Sequence, residues 1–278
     1  KKLFQIMLNR NFNDFKFQHK NNLNQVIYTS KKTKNDYEVL NLIDNFLSEK
    51  NSFIFESVEK GKIRGRYTIF GKNPDKIWEF NNRNSYLITN KRKKKIKGNP
   101  AKIIEKIIEN FKFKTPAELP PICSLISGYF SYDSIRYVEK IPNKCKDDLK
   151  LPDVRLLRPR TLIIHDNLRK KIFYIVNIFN DEKILNYKSK YLEIESEIND
   201  LLIQASLKKK DSYKNTETNI KIKSNITKNG FLKMVDKAKK YIKIGDIFQV
   251  VLSQRFEANL SKKPLEIYKK LRVTNPSP

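Results

Sequence analysis

Two apolar, β-branched runs, RTLIIHD at 160–166 and IFYIVNIF at 172–179, are separated by a connection only five residues long. Runs of this kind bounded by turn-forming residues read as strands, and so short a connection makes them a hairpin. A second hairpin is predicted from SFIFESV at 52–58 and RGRYTIFG at 64–71, joined through a Lys-Gly-Lys turn. Two further short strands fit 76–80 and 85–89, with the lysine run KRKKKIK at 91–97 in the turn that follows.

Helical signals lie between these strands without a regular alternation. Val39, Leu40, Ile43, Phe46 and Leu47 keep the spacing of one helix face. Asn99 and Pro100 supply a cap and a first-turn proline to a helix carrying Ile103, Ile104, Ile107, Ile108 and Phe111. A long helical pattern runs over 181–207 through Leu185, Leu192, Ile198 and Leu202. Strands and helices mixed without a βαβ rhythm make the fold class α+β, with mixed or antiparallel sheets packed with helices. Residues 1–24 show weak periodicity and are expected to form a loosely ordered lead-in.

At 208–225, KKKDSYKNTETNIKIKSN has little apolar content and reads as a linker. It divides a first domain over 15–207 from the start of a second over 226–278. Past the linker, Thr227 caps a helix with Phe231, Met234, Val235, Ala238, Tyr241 and Ile242 on one stripe. Pro264 opens another helix with Leu265, Tyr268 and Leu271 inward. Between them GDIFQVVLSQRF, at 245–256, reads as a buried strand that carries polar groups. Alternation puts Gln249, Ser253 and Arg255 on one face with Ile247 and Val251. That face is expected to meet a domain interface or a ligand cavity, where its polar groups find partners. An interface network without a ligand would satisfy the same requirement.

Composition narrows function mainly by exclusion. Hydrophobic residues make up 39% of the 278, enough for a sizeable core. No run approaches the roughly 18 apolar residues of a membrane span and nothing resembles a signal peptide. A cytoplasmic chain with no membrane partner is therefore expected, its Cys123 and Cys145 unpaired thiols without CxxC spacing. The formal net charge of +28 would suit a nucleic-acid-binding module. But 46 of the 58 basic residues are Lys, Asn and Ile are abundant too, and the run at 91–97 contains no aromatic residue. Nucleic-acid readers rely on Arg for bidentate contacts and on aromatics for stacking. The charge is read as a solvated lysine-rich surface, with no nucleic-acid partner. No GxGxxG, P-loop, HExxH or cysteine quartet occurs, and His19 and His165 lie far apart in sequence. Spacing alone shows no active site.

Four segments, in order, resemble the component I family of anthranilate synthases. They are FESVEKGKIRGRYTIFGKNP at 55–74, GYFSYDSIRYVEKIP at 128–142, GDIFQVVLSQRF, and PLEIYKKLRVTNPSP at 264–278. The third nearly repeats the family's GDIFQVVPSQRF, with Leu252 in place of proline. The related aminodeoxychorismate synthase component I enzymes tend toward GDCYQVNLAQRF and NPAP, which favours the anthranilate branch over them. They and the isochorismate-forming enzymes are the nearest alternatives.

The resemblance implies a whole protein that aminates chorismate and releases anthranilate and pyruvate in tryptophan synthesis. It implies Mg²⁺ on the substrate carboxylate, and ammonia from a glutamine amidotransferase subunit. The family's catalytic and metal-binding residues correspond to sequence beyond Pro278. The chain, which starts at Lys1 and ends on Asn-Pro-Ser-Pro, is thus expected to be an inactive N-terminal fragment with no catalytic or metal residue. For L-tryptophan as feedback inhibitor, the resemblance implies Glu56, Ser57, Arg66 and Pro278 as pocket residues. A zwitterionic amino acid needs acceptors for its ammonium and donors for its carboxylate. Glu56 suits the first role, Ser57 and Arg66 the second. The alternative is that Glu56 and Arg66 form a cross-strand surface pair.

Overall fold

The structure is a computed structural model that describes residues 7–33, 37–47, 49–56, 65–82, 84–144, 146–207, 220–259 and 262–275. Two units are distinguished, 1–209 with 277–278 and 210–276. In chain order the first contains α1 (Phe12–Lys20), β1 (Gln25–Lys32), α2 (Tyr37–Phe46), β2 (Phe53–Phe55), β3 (Tyr67–Asn81), β4 (Asn84–Thr89) and β5 (Arg92–Ile96). It continues with α3 (Pro100–Glu109), β6 (Ser127–Phe130), β7 (Val154–Asp166), β8 (Lys171–Ile178) and α4 (Tyr187–Ser206).

All eight strands join one sheet of order β1-β8-β7-β3-β4-β5, with β2 also on β3 and β6 also on β7. Every pairing is antiparallel; the predicted β7–β8 hairpin is present, and β2 pairs with β3 as expected, while the Lys-Gly-Lys connection at 60–62 lies outside the described residues. The long strands β3 and β7 run through two halves of the sheet. One half adds β2 and the β8–β1 pair, the other β4–β5 and β6. Where the halves meet, Pro74 faces Pro159 and the register shifts between Pro74 and Lys76. Neither proline can donate to a ladder, and the bulge bends the strand without ending it. The segment 76–80, predicted as a separate strand, is therefore the continuation of β3.

Side chains alternate across this sheet, and both faces are covered around β8. On one face Val26, Tyr28, Leu162, Ile164, Phe173 and Ile175 pack with Leu119 and Cys123. Their strand neighbours Ile27, Ile163, Tyr174 and Val176 are equally buried and point the other way, the side on which α4 packs against β8. This double burial is why 160–166 and 172–179 read as continuous apolar runs. Each such side chain contributes about 1.5–3 kcal/mol on burial. In the other half, Trp78, Phe80, Val154 and Leu156 pack with Ile104 of α3. Asn99 caps α3 by accepting from the Ala101 N–H.

Several expectations are corrected. The lead-in contains α1, capped by Asn11 and burying Phe15 and His19. The lysine run is strand β5, which pairs with β4 while its side chains stay mostly exposed. Lysines on such an edge oppose further strand pairing. Helix α4 buries Ile194, Ile198, Leu201 and Ala205, whereas Leu185 and Leu192 are exposed.

The second unit contains β9 (Ile222–Ser224), α5 (Lys228–Lys243), β10 (Phe256–Ala258) and α6 (Pro264–Thr274). Strands β9 and β10 pair antiparallel over three residues. Thus 222–224, expected in the linker, is strand, while 208–219 lies outside the described residues. Thr227 caps α5 as predicted, accepting from the Gly230 N–H, but none of that helix's residues is buried. The stretch GDIFQVVLSQRF is not a buried strand. Residues 247–255 carry no strand, and Phe248 is 102% exposed. Apolar, β-branched composition favours a strand, but the ladder needs a partner, and β9 reaches only 256–258.

Candidate functional site

The β2–β3 ladder pairs Phe55 with Ile69. Glu56 directly follows β2 and Arg66 directly precedes β3, so both stand at the same end of that pair. Glu56 is half-buried. Ser57 and Pro278 lie outside the described residues. Strand β2 is seated by Phe53, whose ring fills the space above Gly71. A Cβ on Gly71 would come within 2.2 Å of the Phe53 ring.

Arg66 is anchored by Asp166, the last residue of β7. Its Nε donates to Asp166 Oδ1 at 3.0 Å and its Nη2 to Oδ2 at 2.7 Å, while the guanidinium lies 4.8 Å from the Tyr67 ring centre. Asp166, 1% exposed, also accepts from the N–H groups of Leu168 and Arg169 at 3.0 and 3.1 Å. One carboxylate thereby caps the β7–β8 turn and fixes Arg66. Burial alone would raise the Asp166 pKa, but the hydrogen bonds from Arg66 and the turn outweigh it and hold the carboxyl below its ordinary value. An arginine has five N–H donors, and beyond the two given to Asp166 the other three have no hydrogen-bond partner among the described residues. The sequence reading did not connect Asp166 with Arg66. Its position at the end of an apolar run, before Asn167, is the signal of an Asx turn that was available.

The other singled-out residues are not brought together as expected. Gln249 and Ser253 are exposed and Arg255 is half-buried. The Arg255 N–H donates to Asn225 Oδ1 at 2.9 Å, and its Nε lies 2.9 Å from Glu257 Oε1. Without a strand over 247–255, the shared face of these three residues does not exist there. His165 is buried in β7 opposite Thr68, and His19 Nδ1 lies 3.1 Å from Tyr187 Oη.

Sequence reasoning also missed an ionic cluster at the bulge. Arg158 donates to Asp75 through Nε at 2.8 Å and through Nη2, and to Asp181 through Nη1 at 3.2 Å and Nη2 at 2.8 Å. Its guanidinium stacks 3.8 Å from the Phe179 ring centre. Lys76 adds a second cation 2.5 Å from Asp181. Burial pushes the Asp181 carboxyl up, yet the hydrogen bonds from Arg158 and Lys76 prevail and bring its pKa to about 2.

The 128–142 segment is tied to the same sheet. A Cβ on Gly128 would lie 2.0 Å from the Arg155 carbonyl oxygen, so only glycine allows β6 to approach β7 there. Tyr137 Oη donates to Asp153 Oδ2 at 2.9 Å. Arg136 bonds Asp133 and the carbonyls of Ile141 and Pro142. These residues hold a loop in shape, which is sufficient reason for a glycine, an arginine and a tyrosine at those places.

A family model described as chorismate binding enzyme matches residues 50–278. The chain belongs to the chorismate binding enzyme family. It is 36% identical over 244 residues to anthranilate synthase component 1 of Acetivibrio thermocellus, covering 86% of this chain and 49% of that protein. It is 32% identical over 275 residues to the protein of the same name from Cereibacter sphaeroides, covering 96% and 55%. The crystal structure of anthranilate synthase component I from Streptococcus pneumoniae TIGR4 superposes with a TM-score of 0.63 at 27% identity, over 85% of this chain and 50% of that one. The chain thus spans about half the length of the curated relatives it matches, and its α+β sheet architecture is that of the pneumococcal structure. Among the described residues, no helix is long and apolar enough to cross a membrane.

Proposed function

We propose that the full-length protein is component I of a cytoplasmic anthranilate synthase. It converts chorismate and ammonia to anthranilate and pyruvate, with the ammonia supplied by a glutamine amidotransferase subunit. The observation that carries this reading is the similarity to proteins of that name across 86% and 96% of the chain, together with the fold it shares with the pneumococcal structure. On this reading the first unit is a regulatory domain and the second, which includes β9, is the start of the catalytic domain.

Among the described residues no group of three or more His, Cys, Asp or Glu could hold a metal ion. No catalytic step is assigned to the described residues. On this reading the Mg²⁺ ligands belong to the part of the full-length protein that corresponds to the other half of its relatives, and these residues alone should turn over no chorismate.

The regulatory half of the proposal places L-tryptophan at Glu56, Ser57, Arg66 and Pro278. Support comes from Arg66, a cation immobilised by Asp166 with N–H groups to spare, at the same end of β2–β3 as Glu56. The test uses the full-length enzyme with chorismate and ammonium, following anthranilate fluorescence with and without tryptophan. Ser57→Phe should leave turnover near wild type and abolish inhibition. Unchanged inhibition in a folded, active variant refutes the pocket. An aminodeoxychorismate or isochorismate product in place of anthranilate refutes the reaction.

A further inference from the structure

A cleft of about 880 Å³ opens at the opposite edge of this half of the sheet, against β1. Glu56 and Arg66 flank the β2–β3 pair, whereas the cleft is lined from β1 by Tyr28, Thr29 and Ser30. A short strap at 7–10 and a loop at 114–118 form its other walls.

Both walls are tied down. Asn9 donates its N–H to the Tyr28 carbonyl at 3.1 Å, and its side-chain oxygen accepts from the Tyr28 N–H at 2.8 Å. Thr29 Oγ1 donates to the Met7 carbonyl at 3.1 Å. On the loop side Tyr28 Oη donates to Glu118 Oε2 at 2.8 Å. A cleft whose walls are fixed in this way needs little ordering before it can bind a small molecule.

Its charges are unbalanced. Arg10 and Lys114 line it together with a single carboxylate, Glu118, which is already engaged by a phenol. Arg10 Nε is shielded from solvent and has no hydrogen-bond partner among the described residues. A guanidinium N–H left dry and unpaired is costly, and an anion placed in the cleft would remove that cost.

We propose that this cleft binds a small organic anion, a molecule carrying a carboxylate or phosphate group that is met by Arg10 and Lys114. The hydroxyl of Ser30, which also lines the cleft, is available to its remaining polar groups. The site is separate from the tryptophan pocket proposed above and does not depend on it.

Isothermal titration of the purified chain with inorganic phosphate, and separately with malonate, tests this at fixed ionic strength. Saturable millimolar or tighter binding of at least one probe is expected, and the arm that binds identifies the anionic group. The double variant R10Q/K114Q should weaken it at least about tenfold, the effect of losing charge-assisted hydrogen bonds. Without ligand the variant should melt at or above the wild-type temperature, because Arg10 Nε has no hydrogen-bond partner to lose among the described residues. Absence of saturable binding in both arms, equal binding by the variant, or a ligand-free variant that melts lower would each overturn the assignment.

Discussion

Arg158→Met removes the guanidinium at the bulge while keeping an apolar stem over Phe179. Breaking a buried ion pair costs about 3–5 kcal/mol when the abandoned charge stays dry. Here Asp75 and Asp181 are 25% and 41% exposed, and Lys76 remains on Asp181. Partial rehydration lowers the expected loss to about 2 kcal/mol.

The pH dependence gives a second, independent reading of the same contact. Asp181 titrates at about 2 in the folded protein, against about 3.9 in an unfolded chain. A depressed pKa means that the unfolded chain takes up the proton first as pH falls. The contribution is therefore complete above about pH 5 and is lost as pH drops through 4 toward 2. At full weight it would be about 2.6 kcal/mol; screening of a half-exposed carboxylate reduces it to about 1 kcal/mol. Without Arg158 the Asp181 pKa returns toward 3.9, so the stability gap between wild type and variant should narrow by about 1 kcal/mol between pH 5 and pH 2. Urea unfolding followed through Trp78, the only tryptophan in the sequence and itself in β3, reads this sheet directly. A gap below about 0.5 kcal/mol at pH 7, or one that stays constant down to pH 2, would refute the reasoning.

Gly71→Ala should destabilise the first unit by about 1–3 kcal/mol, since its Cβ would collide with the Phe53 ring. Adding Phe53→Ala should make the pair non-additive in a double-mutant cycle of urea melts, and strict additivity would show that the ring is not what Gly71 accommodates. Asn177 is fully buried, and its side-chain amide has no hydrogen-bond partner among the described residues. Asn177→Leu should therefore raise stability by about 1 kcal/mol in the same assay, and a loss would reveal a partner that the amide needs.

How much of this was legible in the sequence depended on burial. Strands β7 and β8 announced themselves because two covered faces demand continuous β-branched apolar residues. Strand β5 could not be read, because only Ile96 of its five residues packs on the core and the rest of the edge stays exposed, which leaves no apolar alternation to see. The segments 64–71 and 76–80 read as separate strands, and only the register with β7 shows that β3 passes through Pro74 as a bulge. The cluster of Arg158, Asp75 and Asp181 joins residues 83 and 23 positions apart, so no local pattern could reveal it. The stretch 245–256 failed for the opposite reason. Its apolar composition specified a preference, and the structure supplies a ladder partner only for its end.

Arg66 shows what geometry adds to a residue chosen by resemblance. A free surface arginine would have to be immobilised by an incoming carboxylate, and the ordering would cost affinity. Asp166 has already fixed this one, through a planar fork that uses two donors in parallel. Lysine in its place would offer a point charge without the fork, and could not hold Asp166 in that bidentate geometry while presenting fixed donors elsewhere. On the proposed reading Arg66→Lys is therefore not conservative. It should weaken tryptophan inhibition and at the same time loosen the β7–β8 turn that Asp166 caps. A surface cation acting through charge alone would do neither.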